Sequence, residues 1–241
     1  MTISILAFDE RTGAYGGAAT TGNLCVGGWV LRGDAESGLS ASQGLLPSTL
    51  WGTDSLKLMQ MGVSSAQAVE RISAADPGRD QRQLVALDPE GGTACFTGQA
   101  PMQSAGSRTA RHVIVAGNLL ASETVLDAAL ESFFTCNEPL DLRLIGVLDA
   151  AAEAGGDWRG LMSAALLVVR RDAAPMTLRI DYSPRPLQDL RALHGRVTEH
   201  HYADWAAQVP TLADPFRAAP YRPKTTHPTG RARSATPVSP R

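Results

Sequence analysis

The chain opens with strand patterning. Thr2-Ile3-Ser4-Ile5-Leu6-Ala7-Phe8-Asp9 is a short apolar run containing β-branched residues and no helix breaker, which reads as a buried strand. Glu10-Arg11-Thr12-Gly13 supplies a turn, with Gly13 free to take positive φ. Ala14 to Thr21 then returns as a second strand, and pairing the two as a hairpin sets Thr21 beside Thr2. The glycine-rich stretch Gly22 to Gly28 is expected as a loop or bulged strand, followed by a short strand over Trp29-Val30-Leu31-Arg32. Gly38 to Gly44 is a strand of small residues with Gln43 near its end.

Helical periodicity takes over next. Ser48-Thr49 caps a helix whose apolar face is read as Leu50, Leu56, Leu58 and Met61, ending at Gly62. Ser64-x-x-Gln67 reads as a capping box ahead of Ala68, Val69 and Ile72, and Asp76-Pro77-Gly78 stops that helix. Gln83 to Asp88, a turn at Pro89 to Gly92, and Thr93 to Thr97 form a second hairpin. His112 to Ala116 is a further strand, ending at Gly117-Asn118. Ser122-Glu123 caps a helix with Val125, Leu126, Ala129, Leu130 and Phe133 on its apolar face. Pro139 starts another, carrying Leu142, Leu144, Ile145 and Leu148 and ending at Gly155-Gly156. Ser163 to Val169 and Met176 to Asp181 form a last strand pair, and Pro186 opens a final helix through Leu187, Leu190 and Leu193.

The element order is strands, two helices, strands, two helices, strands, helix. Consecutive hairpins imply antiparallel sheet, and paired helices between them imply cover on more than one face. The fold class expected is α+β: a four-layer αββα sandwich of two antiparallel sheets, with a two-layer α+β fold as the alternative. One domain is expected over residues 1–215. From about Phe216 the prolines and arginines leave no apolar period and no acid follows Asp214, so residues 216–241 are expected as a disordered basic tail.

Composition narrows the function. The chain has 241 residues, 44% of them hydrophobic, enough for a full core. A formal charge of −2 gives no global field favouring nucleic acid or an acidic membrane, so neither is expected as a partner. No run is long enough to cross a bilayer, and the N-terminus lacks a basic region followed by an apolar one, so no signal peptide is expected. The three cysteines, Cys25, Cys95 and Cys136, form no C-x-x-C pair, which argues for a reducing compartment and buried structural thiols. A cytoplasmic homo-oligomer is the expected setting. The five histidines have no metal-ligand spacing, so no metal and no cofactor are expected; there is no G-x-S-x-G elbow and no P-loop.

Thr2 is the residue with the most specific chemistry. A second-position threonine normally loses the methionine before it, which leaves a hydroxyl and an α-amine on one residue. The amine has a reference pKa near 8, so it can serve as base to the hydroxyl. The bland alternative is a strand that happens to start at Thr2. Gly155-Gly156-Asp157-Trp158-Arg159-Gly160 also admits two readings. Asp157 and Arg159 pair with each other on a surface loop, or Asp157 accepts from an amide or ureido N–H while Arg159 holds a carboxylate by its fork. Arg82-Gln83 and Gly117-Asn118 place polar groups at strand ends, either as caps or as parts of a site.

Met1-Thr2-x-Ser4-Ile5-x-Ala7, Arg82-Gln83-Leu84, Phe96-Thr97-Gly98, Gly117-Asn118-Leu119-Leu120 and Gly155-Gly156-Asp157-x-Arg159-Gly160-x-x-Ser163-Ala164 together resemble a bacterial family. It is domain of unknown function 1028, grouped with the N-terminal-nucleophile (Ntn) hydrolases, and the resemblance covers about Met1 to Leu193. It implies the αββα sandwich and an amidohydrolase acting on a small amide or ureido acid, with ureidoacrylate or its peroxy form in uracil breakdown as the substrate. Two positions depart from the family: Gln81 stands where histidine is common, and Gly22 where a lysine is common. The expected catalytic residues are Thr2, Asn118 (an oxyanion donor, with backbone N–H groups around Gly117) and Asp157. The expected substrate-binding residues are Thr21, Gln43, Arg82, Gln83, Gly117, Arg159 and Ser163. Two other functions remain open: a non-catalytic small-molecule-binding protein on the same fold, and a hydrolase that activates a water near Asp157.

Overall fold

β1 (Thr2–Asp9) and β2 (Ala14–Thr21) form the expected hairpin, in register from Thr2 opposite Thr21 to Asp9 opposite Ala14. The Asp9 carboxylate closes the turn, accepting from Arg11 N at 3.1 Å and Thr12 Oγ1 at 2.8 Å, while Gly13 takes φ +66°. The computed structural model describes residues 1–100, 104–155 and 160–218. The proposed tail beyond residue 218 and the Gly156, Asp157 and Arg159 readings lie outside the described residues.

The elements that follow are α1 (Val26–Trp29), β3 (Leu31–Asp34), β4 (Gly38–Gly44), α2 (Thr49–Gln60), α3 (Ser65–Ala75), β5 (Arg82–Leu87), β6 (Thr93–Thr97), β7 (Gly106–Ala110) and β8 (Val113–Asn118). Then come α4 (Thr124–Thr135), α5 (Leu140–Glu153), β9 (Ser163–Val169), β10 (Met176–Ile180), α6 (Pro186–Thr198) and α7 (His200–Ala206). The result is a mixed α+β fold with two antiparallel sheets. One has the order β10-β9-β2-β1-β8-β7, the other β3-β4-β5-β6.

Strand alternation sorts the core into three clusters. Met1, Ile3, Ile5 and Ala7 join Val113, Val115, Ala164 and Leu166 against α4, α5 and α6. The opposite face of the same strands, with Leu6, Ala19, Ile114, Ala116 and Ala165, joins Leu39, Ala41, Val85 and Leu87 of the second sheet. Leu84 and Ala86, on the other face of that second sheet, join Trp51, Met59, Ala68 and Val69 of α2 and α3. Tyr15 links the sheets at one end, its hydroxyl donating to Pro89 O at 2.6 Å.

Several local readings are corrected. The glycine-rich stretch holds a short helix, α1, and the strand after it starts at Leu31 rather than Trp29. The cause is a long-range tie: Ser163 Oγ accepts from Val26 N at 3.1 Å and donates to Asn23 O at 2.7 Å. On α2 the buried stripe is Trp51, Gly52, Ser55 and Met59, whereas Leu50 and Met61 are exposed. Small residues let this helix sit close, with Ser40 Oγ donating to Gly52 O at 2.9 Å. β7 has no apolar alternation because it is an edge strand; its Arg108 pairs with Asp127 of α4 and with Glu123 just before that helix. α7 extends the helical region past the final helix expected. All three cysteines are half-buried rather than buried.

Candidate functional site

One end of the space between the sheets carries a polar row on each side. Asn118, Thr2, Thr21 and Ser163 lie in register across β8, β1, β2 and β9. Gln43, Gln83 and Thr97 lie in register across β4, β5 and β6. Each stands an even number of residues from a member of the intersheet cluster on its own strand, so alternation turns all of them inward.

Hydrogen bonds order this cluster. Gln83 Nε2 lies 2.9 Å from Thr97 Oγ1, 3.1 Å from Gly106 O and 3.1 Å from Gly117 O. Carbonyls only accept, so the nitrogen end of Gln83 must face them. Gln83 Oε1 then accepts from Gln43 Nε2 at 2.7 Å and from Asn118 Nδ2 at 3.3 Å. That fixes both outer amides. Gln43 Oε1 and Asn118 Oδ1 are left buried with no hydrogen-bond partner among the described residues. An unpaired buried acceptor costs roughly 1–3 kcal/mol, so two at one place mark a site held ready for donors.

Thr2 sits at the rim. Thr21 Oγ1 donates to Met1 O at 2.9 Å, so its one proton is spent. The Thr2 hydroxyl, 2.9 Å away, therefore donates to Thr21 Oγ1. Thr2 is half-buried and Thr21 is buried. The Met1 side chain is wholly buried on the other face of the sheet.

A cleft of about 190 Å³ opens over this row, lined by Thr2, Thr21, Gln43 and Gly44 on its polar side. Leu24, Trp29, Leu45 and Pro47 form its apolar side, and the first three are substantially exposed. A larger hollow of about 300 Å³ lies by Asp9, Arg11, Pro139 and Arg170 at the opposite end of the first sheet, and no residue of the polar rows lines it. Among the described residues no group of three or more His, Cys, Asp or Glu side chains is placed to hold a metal ion.

The structure thus brings together Thr2, Thr21, Gln43, Gln83, Gly117 and Asn118. It gives some of them other work than expected. Asn118 stands behind Gln83 and spends an N–H on Gln83 Oε1, and it does not line the cleft. Gly117 has ladder partners on both edges, Ile3 and Gly106; a Cβ there would come within 2.8 Å of Leu120 Cδ2 and 3.1 Å of Thr2 O. Ser163 anchors the segment leading into α1. Arg82 is turned to the other face of β5: its Nε donates to Asp76 Oδ2 at 2.8 Å, a second nitrogen donates to Leu46 O, and its guanidinium lies over Trp51. Burial pulls the Asp76 carboxyl upward, but the Arg82 guanidinium and the Gly78 N–H outweigh it and hold the group below its ordinary value. Thr97 is the cluster member that sequence reading missed. Its signal was its register opposite Gln83 in the second hairpin.

The family model described as a family of unknown function (DUF1028) matches residues 2–190. No curated protein matches the chain. Among solved structures, a crystal structure of the DUF1028 protein SPO2555 from Silicibacter pomeroyi is 47% identical, covering 90% of this chain and 98% of that one, with a TM-score of 0.86. The strand end that carries the Thr2 row, the strand end that carries Gln83, and the β8 end with Gly117-Asn118 all fall inside the matched span, and the chain belongs to the DUF1028 family.

Proposed function

We propose that the chain is an Ntn-type amidohydrolase that cleaves the linear C–N bond of a small amide or ureido acid, with Thr2 as nucleophile. The observation that carries this reading is the Thr2–Thr21 hydroxyl pair at the rim of an intersheet cleft, beside buried amides with unpaired acceptors. The order of the three apolar clusters supports the four-layer αββα arrangement of that class, with α4–α6 outside one sheet and α2–α3 outside the other.

In this reading Met1 is removed and the Thr2 α-amine takes the proton of Thr2 Oγ. The oxygen attacks the amide carbonyl, the C–N bond breaks, and the leaving nitrogen carries off the proton. Water then releases the acyl group and restores the hydroxyl. Gln43 Oε1 accepts from the substrate N–H. Arg159 is proposed to hold the substrate carboxylate. Ureidoacrylate or its peroxy form, in pyrimidine catabolism, is the proposed substrate, and a cytoplasmic homo-oligomer the proposed setting.

The complete burial of Met1 favours a second reading. In a chain that keeps Met1, Thr2 has no amine, and the cleft binds a small molecule without Thr2 chemistry or activates a water near Asp157. Turnover of ureidoacrylate by wild type and Thr2→Ala, with intact masses recorded, separates the two. The proposal expects a chain beginning at Thr2 and abolished turnover in the variant, whose circular dichroism stays native. Activity within about tenfold of wild type moves the nucleophile elsewhere.

A further inference from the structure

Chain termini are ordinarily frayed unless something ties them down. Met1 is tied twice. Its side chain is fully buried in the cluster between the first sheet and α4–α6. Its carbonyl oxygen accepts from Thr21 Oγ1 at 2.9 Å and from Gly22 N at 3.3 Å. The carbon of that carbonyl is joined to the Thr2 nitrogen by a peptide bond of about 1.33 Å. Alternation puts the Met1 side chain on the helix side of the sheet and the Thr2 side chain on the cleft side. Thr21 Oγ1 touches both, through Met1 O and Thr2 Oγ1.

We infer that loss of Met1 uncovers a binding site for a short unbranched monocarboxylate. Three donors converge where the Met1 carbonyl now stands: the new Thr2 α-ammonium, the Thr21 hydroxyl and the Gly22 N–H. Behind them lies an apolar slot shaped by a methionine side chain. A carboxylate takes the donors through charge-assisted hydrogen bonds, and its chain refills the slot, restoring dispersion contacts that an empty cavity forfeits. A carboxylate there also holds the Thr2 amine protonated, since a neighbouring opposite charge favours the charged form. The ligand therefore inhibits any reaction that uses this amine as a base. The inference rests on the removal of Met1 in the proposed function, and not on catalysis by Thr2.

The probe is 4-(methylsulfanyl)butanoate, which reproduces the methionyl group without its amine. Three chains are released from a cleavable fusion and titrated by calorimetry and thermal shift: one beginning at Met1, one beginning at Thr2, and a Met1→Gly variant that keeps all its residues. The Thr2-first chain should bind the probe and melt higher in its presence. The Met1-first chain and the Met1→Gly variant should not bind, because their own first carbonyl holds the donors. Thr21→Val in the Thr2-first chain should weaken binding about tenfold, or about 1.4 kcal/mol. Equal binding to all three chains, or no binding to the Thr2-first chain, overturns the inference. So does a Thr2-first chain without native near-ultraviolet circular dichroism, since Met1 would then be a permanent part of the core. Amide turnover is followed in the same samples. Binding without turnover supports the site while sinking the proposed function, and turnover without binding does the reverse.

Discussion

Gln83→Leu removes the centre of the amide cluster while nearly keeping side-chain volume. Gln83 is fully buried, with three acceptors on its nitrogen and two donors on its oxygen. Leucine strands the Asn118 amide, which is 1% exposed and cannot turn toward solvent. One such orphaned group costs roughly 1–3 kcal/mol. Gln43 is likewise 1% exposed, so stranding its Nε2 adds a similar cost. The two lost N–H donors, shared among Thr97, Gly106 and Gly117, add a similar amount, and the apolar gain of leucine offsets part of the sum. A net loss of about 3 kcal/mol is expected, which lowers the melting temperature of a domain this size by roughly 6–12 °C. Urea denaturation with an unchanged slope measures the free energy. Gln43→Leu on the Gln83→Leu background should cost less than on wild type, since its partner oxygen is already gone. A Gln83→Leu loss below about 1 kcal/mol, or strict additivity with Gln43→Leu, would refute the hydrogen-bond hub.

Asp76→Asn should cost about 1.5 kcal/mol at neutral pH, because the ionised carboxylate holds Arg82 and the Gly78 N–H. The Asp76 carboxyl is lowered in the folded state, so its contribution is complete above the unfolded value of about 3.9 and fades as pH falls through the folded one. Stability curves of wild type and variant should therefore converge below about pH 4; a gap that persists or widens there rejects the ion pair. Deleting residues 219–241 should change the melting temperature by less than about 2 °C. Cutting before Thr211 should destabilise, since Thr211 is buried and Ala213 N donates to Arg171 O at 2.7 Å. Although all three thiols are half-buried, desolvation pushes the Cys95 thiol up, so native alkylation should reach Cys25 and Cys136 first; Cys95 modified at an equal rate contradicts that shift.

Local periodicity was enough to find the β1–β2 hairpin with Thr21 opposite Thr2, because a short turn sets its own register. It also found β4, the β5–β6 hairpin and the caps Ser48 and Ser64, which depend on neighbours within a few residues. The polar residues closing otherwise apolar strands, Gln43, Gln83 and Asn118, stood out for the same reason. Their mutual contact did not: Gln43 meets Gln83, 40 residues on, by strand pairing within one sheet, and Asn118 meets Gln83, 35 residues away, by the stacking of the two sheets. α1 needed Ser163, 137 residues away from Val26, and β7 needed a partner edge rather than a pattern of its own. Side-chain direction was the other gap. Arg82 and Gln83 are adjacent in sequence and face opposite sides of β5, and only the helices behind that strand decide which one turns into the space between the sheets. Sequence alone determined which residues could pair locally and which could carry chemistry. Tertiary structure decided which of them meet, because the polarity of a strand face is set by what packs against it, and that surface comes from distant chain.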